Sequence, residues 1–120
     1  MLAQGGGDIV NVSSIAARLA NPTSGVYSAT KAAVSTFTEA LRKEVTKRGV
    51  RVCAIEPGLI DSELGQHIPH AAARERFAKM AASWTPLQPA DVAAAVLYVV
   101  TQPRHVAVNS IVIRPAEQEL

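Results

Sequence analysis

Two short runs of β-branched and apolar residues, separated by a long segment with a helical period, constrain this chain most. Ile9 to Val12 follows the breaker Gly5-Gly6-Gly7-Asp8 and reads as a buried strand. Val50 to Ile55 reads as a second strand. Between them, after a loop through Asn21-Pro22-Thr23-Ser24-Gly25, residues from about Val26 to Arg48 carry a helical period. Gly49 is placed to stop that helix. A helix of this length between two strands implies a parallel pair joined by a crossover.

The rest of the chain continues the alternation. Pro57-Gly58 breaks the second strand. The stretch from Leu59 to Thr85 reads as a short helix near Asp61 to His67 and a longer one near Ala71 to Ser83. Pro89 suits the first turn of a further helix, with apolar positions Val92, Val96, Leu97 and Val100 and a stop at Pro103. Val106 to Ile113 reads as a third strand. The fold class is therefore α/β, with about three parallel strands and crossover helices. In such sheets ligands sit beyond the carboxyl ends of the strands. Ser14 follows the first strand, Pro57-Gly58 follows the second, and Tyr27 and Lys31 lie in the first turns of the intervening helix. The candidate chemistry converges on one end of the sheet.

Composition excludes several functions. The 120 residues are one domain at most, and 48% apolar residues argue for a folded chain. The net charge of +2 is too small to imply nucleic acid. The densest basic run (Arg42, Lys43, Lys47, Arg48, Arg51) is interleaved with Glu39 and Glu44 and reads as a solvated helix face. The single cysteine, Cys53, allows no intrachain disulfide and reads as a small buried hydrophobe. His67, His70 and His105 lack metal-ligand spacing, so no metal is expected. No apolar run is long enough to span a bilayer and no signal-peptide pattern opens the chain, which makes a cytoplasmic location the default.

The chemistry rests on three side chains. Tyr27 and Lys31 are four apart and share a helix face. A free phenol titrates near pH ~10, and a neighbouring ammonium favours its ionised form. Such a phenol can exchange a proton with an alcohol or carbonyl as hydride moves to or from a cofactor. Ser14, thirteen residues before Tyr27, can donate to the developing oxyanion. Singly, each has a bland alternative: helical tyrosines pack, helical lysines face solvent, and Ser-Ser or Pro-Gly marks a turn. Their order and strand–helix context favour the chemical reading.

The blocks Gly6-Gly7-Asp8-Ile9-Val10-Asn11-Val12-Ser13-Ser14, Tyr27-Ser28-Ala29-Thr30-Lys31-Ala32-Ala33-Val34 and Val50-Arg51-Val52-Cys53-Ala54-Ile55-Glu56-Pro57-Gly58 resemble the C-terminal half of a short-chain dehydrogenase/reductase. The resemblance implies a partial Rossmann-type doubly wound sheet with its N-terminal half missing. Residues 1–120 would then be the C-terminal part of a single NAD(P)-binding domain. It implies Ser14, Tyr27 and Lys31 as catalytic residues, with Tyr27 and Lys31 also holding the cofactor. Pro57, Gly58, Ile60 and Ser62 would lie along the nicotinamide, with Ile60 giving backbone contact and Ser62 standing where family members often carry threonine. Ser62 to about Ser83 would be the substrate lid, and Ser14, Leu59 and Leu64 would face a small alcohol or carbonyl substrate; Ile68, Met80 and Trp84 would add to an apolar wall. The run Val106 to Pro115 is similar to the last strand of a subgroup that includes NADP-dependent 3-hydroxy acid dehydrogenases.

The resemblance also implies departures. The glycine-rich phosphate loop, the Asn-Asn-Ala-Gly segment and the helix carrying the family's fourth catalytic residue, an asparagine, are not in this sequence; Gly5-Gly6-Gly7 precedes a strand and has the wrong context. The expected activity is NAD(P)-dependent hydride transfer in a longer parent enzyme, which would be a homo-oligomer. The alternative is a truncated, inactive fragment that self-associates or misfolds, with an open edge along Ile9–Val12. A third possibility is an unrelated α/β binding module with an accidental match.

Overall fold

The computed structural model describes residues 1–119. It is an α/β layered structure built on three parallel strands: β1 (Gly7–Val12), β2 (Val50–Pro57) and β3 (Ser110–Ile113), in spatial order β1-β2-β3. Helix α1 (Gly25–Val45) connects β1 to β2, and α2 (Ala71–Ser83) and α3 (Pro89–Val100) lie between β2 and β3. Short 3-10 turns occupy Leu2–Gln4, Ile15–Arg18, Thr46–Arg48 and Glu63–His67. The parallel sheet with crossover helices is the architecture the sequence implies.

The central strand organises the packing because its side chains alternate between two covered faces. Val50 and Val52 pack with Val45, Leu41 and Ile9 beneath α1. Cys53 and Ile55 pack with Val99, Val92, Ala95 and Val96 of α3 on the other face. Ile55 is fully buried. The two helices therefore cover opposite faces while the strands step in one direction across the sheet. Two crossovers of one hand would put both helices on the same face, so the two connections have opposite hands.

Several element boundaries differ from the sequence reading. β1 begins two residues early, at Gly7, because the peptide of Gly7 pairs with Val50 at the start of β2. β2 runs through Pro57, which pairs with Ile113; a strand's last residue needs no further ladder donor. α1 gives way at Thr46 to a 3-10 turn, and Gly49 then closes it with φ 79°, donating to the Thr46 carbonyl. That left-handed conformation is what the expected stop requires. The short helix expected near Asp61 to His67 is present as a single 3-10 element that begins two residues later, Glu63–His67.

The largest correction is β3, which spans Ser110–Ile113 and not Val106–Ile113. Arg51, read from sequence as part of a solvated basic face, is the reason. It projects from β2, pairs with Asp8 (Nε to Oδ1 2.6 Å) and donates to the carbonyls of Val100, Gln102, Pro103 and Val106. The chain leaving α3 is thus held on a guanidinium, and the ladder to β2 begins only at Asn109, whose carbonyl accepts from Ala54. The Asp8 hydrogen bond raises the Arg51 pKa above its ordinary value.

Candidate active site

Ser14, Tyr27, Lys31 and Pro57 come to the carboxyl end of the sheet, where β1 and β2 finish and α1 begins. Ser14 caps the Ile15–Arg18 turn: its Oγ accepts from Ala16 N at 3.1 Å and is 3.5 Å from the Pro57 carbonyl oxygen. The first contact uses a lone pair. The second is too long to hold the hydroxyl proton firmly, so that proton is free to serve another acceptor. Ser14 is nevertheless well packed, 8% exposed.

Tyr27 is the third residue of α1 and Lys31 stands one turn on. The Lys31 ammonium lies 5.9 Å from the Tyr27 ring centroid and donates to the Val12 carbonyl at 3.3 Å, which ties it to the end of β1. Tyr27 is 38% exposed, so its ring is open to solvent on one side and is not sealed in the core. A charged donor beside an accessible phenol at a strand end is an arrangement suited to proton transfer.

The β2–α2 connection supplies backbone groups. Gly58 N donates to the Ile113 carbonyl at 2.7 Å. A side chain at Gly58 would collide with Gln118 and Arg114, so this glycine is needed for the close approach of the C-terminal segment. Leu87 N bonds to the Leu59 carbonyl, and Asp61 N bonds to the Leu87 carbonyl, in a parallel bridge of Ile60 with Leu87. In such a bridge the peptide groups of the middle residue face the other way. The N–H and C=O of Ile60 therefore point away from Leu87. Ser62 caps the Glu63–His67 turn without a side-chain hydrogen bond and is exposed.

The remaining expected site residues are less tightly gathered. Leu59 is buried, at 6% exposure, with its amide bonded to Gln118 Oε1; Leu64 is 54% exposed. α2 buries none of its residues, and Phe77 packs close to Gly65. Ser62, Gly65, Gln66, Arg74, Phe77, Ala78 and Ala81 line a shallow cavity of about 260 Å³ there. His67, His70 and His105 are exposed, and His70 caps α2 through Nδ1. Among the described residues no group of His, Cys, Asp and Glu could hold a metal ion.

Sequence reasoning missed a buried polar cluster behind the site. Glu56, 4% exposed, accepts from Arg18 Nε through one oxygen and from Ser35 Oγ at 2.9 Å through the other. Ser13 Oγ lies 2.8 Å from Ser35 Oγ and 2.9 Å from the Lys31 carbonyl oxygen, and its single proton serves one or the other. The available signal was an acid at the end of an apolar strand, Val52-Cys53-Ala54-Ile55-Glu56, with Ser35 one turn beyond Lys31.

Comparison with known proteins gives the family. A family model described as short chain dehydrogenase matches residues 1–73. An uncharacterized oxidoreductase of Staphylococcus aureus strain USA300 is 44% identical over 115 residues, covering 96% of this chain and 45% of that protein. One from Staphylococcus saprophyticus is 39% identical over 115 residues, covering 96% and 44%. Among solved structures, a closed form of serine dehydrogenase complexed with NADP+ superposes with a TM-score of 0.88 at 33% identity, over 100% of this chain and 48% of that one. Serine dehydrogenase from Escherichia coli gives 0.77 at 32%, over 100% and 45%. The chain thus spans about half the length of the curated relatives it matches, 45% of the first of them. With a match over more than half of its residues and a strand-end serine, tyrosine and lysine in the order described, the chain belongs to the short-chain dehydrogenase family.

Proposed function

We propose that these residues form the catalytic half of an NAD(P)-dependent oxidoreductase that interconverts a small alcohol, a hydroxy acid among the candidates, with its ketone or aldehyde. The observation that carries the reading is the Lys31 ammonium 5.9 Å from the centroid of an accessible Tyr27 ring, at the end of β1. Tyr27 acts as the acid or base, holding the proton at its phenol oxygen. Lys31 stabilises the ionised phenol by its charge and has donors left for a cofactor ribose. Ser14 orients the substrate oxygen and donates to it as negative charge develops.

The residues present fit a nicotinamide. The peptide of Ile60, turned away from Leu87, offers one donor and one acceptor, as a carboxamide requires, and Pro57, Gly58 and Ser62 are its neighbours along the chain. When bound, NAD(P) supplies or takes up the hydride; the chain's residues position the partners and move the proton. Similarity to a structure described as complexed with NADP+ supports NADP, with NAD the alternative that the family resemblance leaves open. Leu59 and Leu64 are retained as substrate-side residues of the longer enzyme, where Leu64 is the exposed one. The enzyme is proposed to be cytoplasmic and a homo-oligomer; among the described residues no helix is long and apolar enough to cross a membrane.

The second reading, an inert fragment, is favoured by one observation. Among the described residues β1 pairs only with β2 and leaves its other edge without a partner strand. Titration of NADPH fluorescence, followed by absorbance after adding a reducible ketone, separates the two. A competent protein quenches and then consumes NADPH, and an inert one does neither. The expectation is that the 120 residues alone bind weakly and turn over little, while a full-length protein carrying them is active, because contacts remote from the reacting ring supply much of the binding.

A further inference from the structure

Tyr27, Lys31 and Ser35 recur at every fourth residue of α1 and so share one stripe of that helix. The first two carry the proposed chemistry; the third is anchored to the sheet. Ser35 Oγ donates to Glu56 Oε1 at 2.9 Å, and the single proton of Ser13 Oγ serves either Ser35 Oγ at 2.8 Å or the Lys31 carbonyl at 2.9 Å. The other Glu56 oxygen accepts from Arg18. Three segments that build the site are therefore linked, directly or through Ser35, to one carboxylate. Ser13 immediately precedes Ser14, Ser35 lies one turn beyond Lys31, and Glu56 immediately precedes Pro57.

Glu56 is a costly residue for its position. The side chains before it on the same face of β2 are Val52 and Ala54, and an apolar residue there would avoid desolvating a carboxylate. Its two oxygens are nonetheless satisfied from two different elements, the Ile15–Arg18 turn and α1. A shared, directional anchor of this kind fixes rotation and depth, which non-directional packing leaves freer. The far end of the stripe is held differently: Asn11 Nδ2 donates to Thr38 Oγ1 at 2.9 Å, tying α1 to the penultimate residue of β1.

We propose that Glu56 is a positioning residue for the Tyr27–Lys31 pair. Through Ser35 it sets the rotation of the first turns of α1 against the sheet, so that the Lys31 ammonium reaches the Val12 carbonyl and is held there beside the phenol ring. The proposal rests on the functional reading of that pair, but its test does not require turnover.

NMR of the chain reads the ring-current displacement that the Tyr27 ring imposes on the Lys31 side-chain protons, with Tyr27→Leu giving the zero. Glu56→Gln and Ser35→Ala are each expected to reduce that displacement by about half or more, since the contact already lies near the ~6 Å limit of such interactions. Thr38→Val, which breaks a tie on the same helix without touching Glu56, is expected to leave it unchanged. Far-UV circular dichroism confirms that each variant folds, and Ser35→Ala alone decides if Glu56→Gln does not. A full displacement in Ser35→Ala, no displacement in the wild type, or an equal loss in Thr38→Val overturns the proposal. Absence of NADPH consumption by a full-length protein carrying these residues would instead count against the functional reading and leave this result standing.

Discussion

Cys53 and Arg51 are neighbours two apart on β2, and burial treats them in different ways. Cys53 is 1% exposed, and burial pushes its thiol up to about 11. The folded value lies above the ordinary 9.0, so the stabilisation is fully present below that pH and is lost as the pH rises through about 11. A disulfide reagent at neutral pH is expected to label the native thiol on the order of a hundredfold more slowly than the unfolded one. Comparable rates would show that β2 is not packed as described. Arg51 instead keeps its charge by pairing with Asp8 and gathering four carbonyls. Arg51→Ala should cost about 3 kcal/mol in urea unfolding, since it strands Asp8 and frees the exit of α3. A loss within measurement error would contradict that role. Cys53 was legible from its apolar neighbours in sequence. Arg51 was not, because its partners lie about fifty residues away and local pattern carries no trace of them.

At the scale of elements, α1 shows what periodicity reveals and what it leaves out. Its position, its glycine stop and the placing of Tyr27 above Lys31 all follow from spacing. Gly49→Ala tests the stop: with φ 79° and an added Cβ 2.7 Å from the Gly5 carbonyl oxygen, the substitution should destabilise by more than about 1 kcal/mol. On the outer face the Arg42 guanidinium, by hydrogen bonding, holds the Glu39 carboxyl down to about 2 from an ordinary 4.5. The folded value is the lower one, so this contribution is present above pH 4.5 and disappears as the pH falls through about 2. Glu39→Gln should flatten that part of the acid unfolding curve, as read by circular dichroism. The third strand was overextended in the sequence reading because Val106-Ala107-Val108 has strand composition. Its carbonyl at Val106 goes to Arg51, and composition cannot register a competing long-range donor.

For the molecule as a whole, the open surfaces matter most. The radius of gyration is 16.0 Å, against about 14 Å for a compact domain of this length. β1 has a free edge, and Phe37 on α1 and Leu97 on α3 are 61% and 62% exposed. The 120-residue chain is therefore expected to self-associate as concentration rises in sedimentation velocity. Val12→Lys, at an exposed position of the β1 edge, should weaken that association, as charged edge residues do. A chain that stays monomeric at all concentrations would show that these faces need no cover. The site was legible as a set of residues, because the order serine, tyrosine, lysine follows the chain. Its support was not, because Glu56, Ser35 and Ser13 are joined only in three dimensions. The most direct measurement of the central claim is NADPH oxidation, with a reducible ketone, by a full-length protein carrying these residues, wild type against Tyr27→Phe. The prediction is a fall in kcat of at least about a hundredfold with the fold intact; an unchanged kcat would contradict the assignment of Tyr27 as the acid and base.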